Sequence, residues 1–176
     1  MRPTTPIRST SLASSASTAD PAPTRNPAGA QPAPGERILL FSVGERLFGC
    51  PVDVVREIVP SRRTTRLPGA PEYVRGLMNL RGSILTIIDL GLRLGESEPA
   101  RADGSTVLVE HRQRLMGFAV DEVMDVQALA TDQLEAPTAP GVVEKNAGIV
   151  RGLGHLGDGR VVILLDILSV VEQVLR

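Results

Sequence analysis

Apolar residues in this chain fall in runs of about six, broken by polar or glycine-bearing pairs, the pattern of short strands joined by tight turns. Ile38 to Val43 is one run; Gly44-Glu45 interrupts it and Arg46 to Val52 resumes it. Two strands around a two-residue loop with glycine first predict a type II′ hairpin. The spacing recurs at Thr106 to His111, Arg112-Gln113 and Arg114 to Val120. A third strand is expected after each hairpin, at Val54 to Val59 and at Glu122 to Ala128. Pro60 and the segment Pro68-Gly69-Ala70-Pro71 close the first run. A longer connector over about 127–147, with Pro137, Pro140 and Gly141, follows the second. Helix is scarce. Single turns are expected at Glu72 to Leu77 and at Asp89 to Leu94, the latter ended by Gly95. The clearest helix is C-terminal, about Leu168 to Leu175, with Leu168, Val171, Val174 and Leu175 forming an amphipathic stripe.

The two stretches are copies. Arg46 to Ile58 reads against Arg114 to Val126 at a constant offset of 68, with six of thirteen pairs identical. Val74-Arg75-Gly76-Leu77 returns as Val150-Arg151-Gly152-Leu153. Each copy then enters an apolar strand ending in aspartate, Ile84 to Asp89 and Val161 to Asp166. Short strands rich in Val, Ile and Leu, with turn signals at close intervals, predict an all-β fold of small barrels or sandwiches. Tandem copies, 37–95 and 105–176, predict two similar subdomains in one domain over 36–176, joined by a polar linker at 96–104. Function is then to be sought where the copies differ.

Composition changes the picture at one end. Residues 1–35 hold seven of the fourteen prolines with many Ser, Thr and Ala, so they cannot bury enough surface to offset their ordering entropy and are expected to be a disordered tail. No apolar run approaches the length of a membrane span, so no direct membrane insertion is expected. The single cysteine, Cys50, excludes an intramolecular disulfide, fits a cytoplasmic location and reads as a small core residue. Charge is uneven. Residues 37–95 carry nine Arg against five acids, and residues 96–176 seven basic residues against thirteen acids.

The constellations that suggest chemistry fail on context. Gly152-Leu153-Gly154-His155-Leu156-Gly157 matches a dinucleotide fingerprint, but Asp158-Gly159 turns the chain into another strand where a helix should open. His111 and His155 with a lone cysteine do not make a metal site. Asp53, Asp121, Asp89 and Asp166 occupy matching positions in the copies and read as turn and capping residues. Phe41, Phe48 and Phe118 lie in apolar runs, which leaves no stacking platform for single-stranded nucleic acid. Arg62, Arg63 and Arg66 form a small basic cluster that reads as a solvated loop. No catalysis, cofactor or metal is expected, and a small β-barrel nucleic-acid binder is the reading set aside.

The main divergence between the copies is Asn79-Leu80-Arg81-Gly82-Ser83 against His155-Leu156-Gly157-Asp158-Gly159-Arg160. The first puts an arginine at the hairpin tip, a forked donor able to pair with a partner's carboxylate or carbonyls. The run from Tyr73 to Leu90, centred on this hairpin, resembles the signature of the CheW family of bacterial chemotaxis coupling proteins. The resemblance extends from about Arg37 to the C-terminus. It implies two five-stranded, SH3-like β-barrel subdomains. It implies a non-catalytic adaptor that binds the regulatory domain of a CheA-type histidine kinase and the cytoplasmic tip of chemoreceptors in membrane-associated arrays. Carried over by motif, Arg81 with Asn79 and Gly82, and Val55 and Glu57 on the preceding strand, are implied around the receptor groove. The resemblance assigns no kinase-contact residue. Within the family, a pathway controlling pili, gliding or development is the alternative output.

Overall fold

The computed structural model describes residues 35–136, 145–146 and 148–175. The expected disorder of the tail, and Pro137, Pro140 and Gly141 of the connector, lie outside the described residues. The strands are β1 (Glu36–Val43), β2 (Arg46–Pro51), β3 (Val55–Pro60), β4 (Val74–Leu80), β5 (Ser83–Asp89), β6 (Ser105–His111), β7 (Arg114–Val120), β8 (Glu122–Leu129), β9 (Leu134–Glu135), β10 (Val150–His155) and β11 (Val161–Leu165). Two short helices, α1 (Leu90–Leu94) and α2 (Ile167–Val174), follow β5 and β11.

The strands form a six-stranded sheet in the order β8-β1-β2-β11-β10-β9 and a five-stranded sheet in the order β3-β6-β7-β5-β4. The two copies therefore exchange strands. Each sheet takes the opening hairpin of one copy and the later strands of the other, joined by the parallel pairs β2–β11 and β5–β7. The sequence halves 37–95 and 105–176 are units of repetition, and neither is a spatial subdomain. Periodicity reveals strands but not which distant strand each one pairs with.

Each sheet curls around its own small core as an SH3-like barrel, and a larger core lies between them. Along β1, Ile38 and Leu40 point into the first barrel while Leu39, Phe41 and Val43 join the central cluster. Along β6, Leu108 points into the second barrel while Val107 and Val109 face the centre. Such strands are buried on both faces, which is why they read as unbroken apolar runs. Phe41 and Phe48 stack in the central core with ring centroids 6.4 Å apart. Cys50 is fully buried there, as expected, and burial pushes its thiol pKa up to about 12.

The seams explain the repeated Val-Arg-Gly-Leu. After β3 the chain returns at Thr65, whose N–H and carbonyl both bond to Leu77 at 2.8 Å. After β8 it returns as β9, which pairs with Leu153 and Gly154. In each copy the closing segment passes directly over the glycine. A Cβ on Gly76 would lie 2.1 Å from the Thr65 carbonyl oxygen, and one on Gly152 would lie 2.5 Å from the Glu135 oxygen. Only glycine admits so close an approach.

Two local expectations are corrected. Residues 72–77 form no helical turn: Val74–Leu80 is β4, held between β5 on one side and Thr65 on the other, so tertiary pairing decides. The C-terminal helix buries Ile167, Val170 and Val171, leaves Leu168 and Val174 half-buried and exposes Leu175. Its phase is set by Asp166, whose carboxylate accepts from the Ser169 N–H at 3.1 Å and starts the helix one residue early. Asp89 caps α1 in the same way through Leu92 N–H at 3.1 Å, and Gly95 ends it at φ 89°.

Candidate functional site

The β4–β5 hairpin turns on Arg81 and Gly82, at φ 51° and 88°. Two left-handed residues in sequence make a type I′ turn, whose twist matches the flanking strands. The Arg112-Gln113 turn has the same form, at φ 49° and 63°, whereas at the first hairpin only Gly44 is left-handed, as expected for type II′. Arg81 thus carries the cost of a non-glycine residue in that region. Asn79 offsets part of it: its Oδ1 accepts from the Gly82 N–H at 2.9 Å and braces the turn.

The turn aims Arg81 at Glu57 of β3. Nη1 donates to Oε2 at 3.0 Å and Nη2 to Oε1 at 2.7 Å, a bidentate fork. These strands are the two edges of the five-stranded sheet, so the pair ties its seam. The Arg81 side chain remains 74% exposed and that of Glu57 34%. A bulge at Arg56, where Val55 pairs with Val109 and Glu57 with Leu108, turns Glu57 toward the hairpin. The structure therefore brings Arg81, Glu57, Asn79 and Gly82 together. It seats Val55, half-buried, against the central core.

The second copy builds its counterpart differently. Arg160 pairs with Asp158 of its own loop at 2.7 Å and lies 3.9 Å from the Met124 sulfur. The guanidinium holds the Asp158 carboxyl below the usual carboxylate range. Asp125, which aligns with Glu57, acts on Arg160 electrostatically but makes no fork with it.

The chain matches the CheW-like domain family over residues 37–175, a span that takes in both barrels and the site. The chain belongs to the CheW-like family. It is 34% identical over 134 residues to the chemotaxis protein CheW of Klebsiella aerogenes, covering 76% of this chain and 80% of that one. It is 37% identical over 101 residues to Protein PilI of Pseudomonas aeruginosa, 57% of each chain. Among solved structures it is similar to the scaffolding protein CheW of Thermoanaerobacter tengcongensis, with a TM-score of 0.67 and 28% identity over 75% of this chain and 89% of that one.

In this CheW-like domain two features escaped the sequence reading. Ile84, the first residue of an apolar run, is 70% exposed. It pairs across the hairpin with Asn79, so it stands on the same face beside the Arg81 turn. Its counterpart Val161 is also exposed, so apolar tips recur on both barrels. The second feature is the ion pair of Asp89: besides capping α1 as expected, the buried carboxylate accepts from Arg75 Nε at 2.9 Å and from the N–H group of Ala100. The signal was in the repeat, since both copies end their strand in aspartate. Only the first copy pairs it with the arginine of Val-Arg-Gly-Leu; Arg151 pairs with Glu36 at 2.8 Å. Among the described residues no helix is long and apolar enough to cross a membrane.

Proposed function

We propose that this chain is a non-catalytic scaffold that couples chemoreceptors to a CheA-type histidine kinase, with Arg81, Glu57, Asn79, Gly82 and Val55 on its receptor-binding side. The observation that carries the reading is the exposed Arg81–Glu57 fork beside Ile84, in a chain of the CheW-like family. An arginine held on a short turn loses little side-chain entropy on docking, and an exposed apolar neighbour adds burial. Exposed ion pairs contribute little to folding, so a fork kept in solvent is better explained by what it displays. A partner carboxylate or carbonyl reaches the outer donors of Arg81 without displacing Glu57.

The test is reconstitution from purified chain, kinase and receptor fragment. Receptor-controlled kinase activity is expected to appear only with all three components. Full receptor control without this chain, or ATP hydrolysis by the chain alone, overturns the reading. The similarity to Protein PilI favours a second reading, the same adaptor role in a pathway with a non-flagellar output. The receptor and kinase with which the chain co-purifies separate the two.

A further inference from the structure

The loop between β3 and β4 carries Arg62, Arg63 and Arg66, which the sequence alone reads as solvated. The structure leaves all three exposed and arranges them around one cavity. The Thr65 bridge to Leu77 pins the loop to β4, and Thr64 Oγ1 donates to the Arg75 carbonyl at 3.0 Å. The cavity beneath measures about 770 Å³ and is lined by all three arginines and by Arg75.

Three observations point to a ligand. The first is charge. Among the described residues Arg62, Arg63 and Arg66 have no acceptor, a state shared outside this loop only by Arg37 and Arg114. Arg75 is held by Asp89 at 2.9 Å, which leaves three unopposed guanidinium groups against Glu72 on the wall. The second is shape and lining. Ser61 adds a hydroxyl group, while Leu92, Pro99 and Ala102 supply an apolar side. The volume lies in the range of small-molecule sites, roughly 300–1,000 Å³, and exceeds what a single inorganic anion fills. The third is the comparison of copies. In the second barrel Glu135 closes the seam where Thr65 does in the first, and Asp132 and Gln133 precede it where Arg62 and Arg63 stand in the first copy. Closing the barrel therefore does not require the arginines.

We propose that this cavity binds a nucleotide-sized organic polyphosphate. Guanidinium forks and the Ser61 hydroxyl match phosphate oxygens, and the Leu92–Pro99 side accepts a flat apolar group. The assignment goes beyond the adaptor role and does not depend on it.

Calorimetric titration of the full chain with ATP and with inorganic pyrophosphate, at low and at physiological salt, tests it. One saturable site per chain is expected, with ATP tighter than pyrophosphate and both weakened by salt. Arg62→Gln/Arg63→Gln/Arg66→Gln is expected to raise the ATP Kd about tenfold or more, since hydrogen bonds to charged groups are the strong ones. Arg37→Gln/Arg114→Gln is expected to leave it unchanged, and Glu72→Gln to lower it. If the triple variant fails to fold, the Glu72→Gln gain and the single variant Arg63→Gln still decide. Absence of saturable binding, equal loss in the Arg37/Arg114 control, or tighter binding of a single-stranded oligonucleotide or an acidic peptide than of ATP overturns the proposal.

Discussion

The two barrels share a plan and differ at one seam. In the five-stranded barrel the hairpin arginine, Arg81, reaches across to the edge strand and forks onto Glu57. In the six-stranded barrel Arg160 folds back on Asp158 of its own loop and leaves Asp125 without a fork. The first arrangement fixes the hairpin relative to its neighbour; the second fixes only the loop. The buried layer shows the same contrast. Arg75 binds the fully buried Asp89, whereas the equivalent Arg151 reaches outward to Glu36. In this molecule the copies keep their strands and differ in their polar cross-links, which are not required to fill the core.

The comparison can be broken most forcefully at the seam glycines. Gly76→Ala would place a Cβ 2.1 Å from a backbone oxygen at φ 132°, whereas Gly152→Ala meets its oxygen at 2.5 Å without a left-handed φ. Chemical denaturation is expected to show a loss of about 4 kcal/mol or more for the first and about 2 kcal/mol for the second. Equal losses would mean that both closing segments shift equally easily. Next comes the buried layer. Asp89→Ala removes the partner of a largely buried guanidinium and three accepted bonds, for about 3 kcal/mol, while Asp166→Ala removes a helix cap for about 1 kcal/mol. Similar melting temperatures for the two variants would sink the claim that only Asp89 anchors a charge.

The seam arginines sharpen the comparison at the level of function. Arg81→Glu is expected to weaken receptor binding by about 2 kcal/mol, or roughly thirtyfold, with a smaller loss of fold stability, about 1 kcal/mol, because the new carboxylate faces Glu57. Asp158→Ala is expected to leave binding near normal. Direct binding assays with receptor and kinase measured separately check this; an Arg81→Glu protein that binds both normally makes the fork purely structural. The smallest effect concerns Cys50, which stands where the second copy has Phe118. Burial raises its thiol pKa to about 12 in the folded chain, and an unfolded thiol ionises near ~8.5. The stability it contributes is complete below the unfolded value and is lost as pH rises toward the folded one. A decline of about 1 kcal/mol is expected by roughly pH 9.5, absent in Cys50→Ala. Thiol reagents should modify native Cys50 far more slowly than the unfolded chain.

Much of this was legible in the chain. Most strand positions, two-residue turns, capping aspartates and the repeat follow from local chemistry, and the resemblance of the Tyr73 to Leu90 run named the family correctly. What escaped was long-range. Strand exchange joins β2 to β11, and no periodicity records it. The resemblance implied Glu57 and Arg81 around one groove, but their fork needs the bulge at Arg56 and the Thr65 bridge before the two meet. The exposure of Ile84 is not legible because a run buried on both faces and a run with one exposed end look alike in sequence. Arg62, Arg63 and Arg66 are exposed, as the sequence suggests; what it does not record is that the pinned loop sets all three around one cavity.

Strand exchange also constrains how the chain is made. On a ribosome the first copy emerges with its strands assigned to two different sheets. The five-stranded barrel lacks its centre until β6 and β7 have appeared, and β1–β2 wait for β8 through β11. No early half can settle on its own, so synthesis passes through a stage in which apolar strands are out and unpaired. The nascent chain is then exposed to chaperones and proteases for most of its length. The repeat makes the sequence look divisible, but strand exchange leaves neither half with a complete sheet.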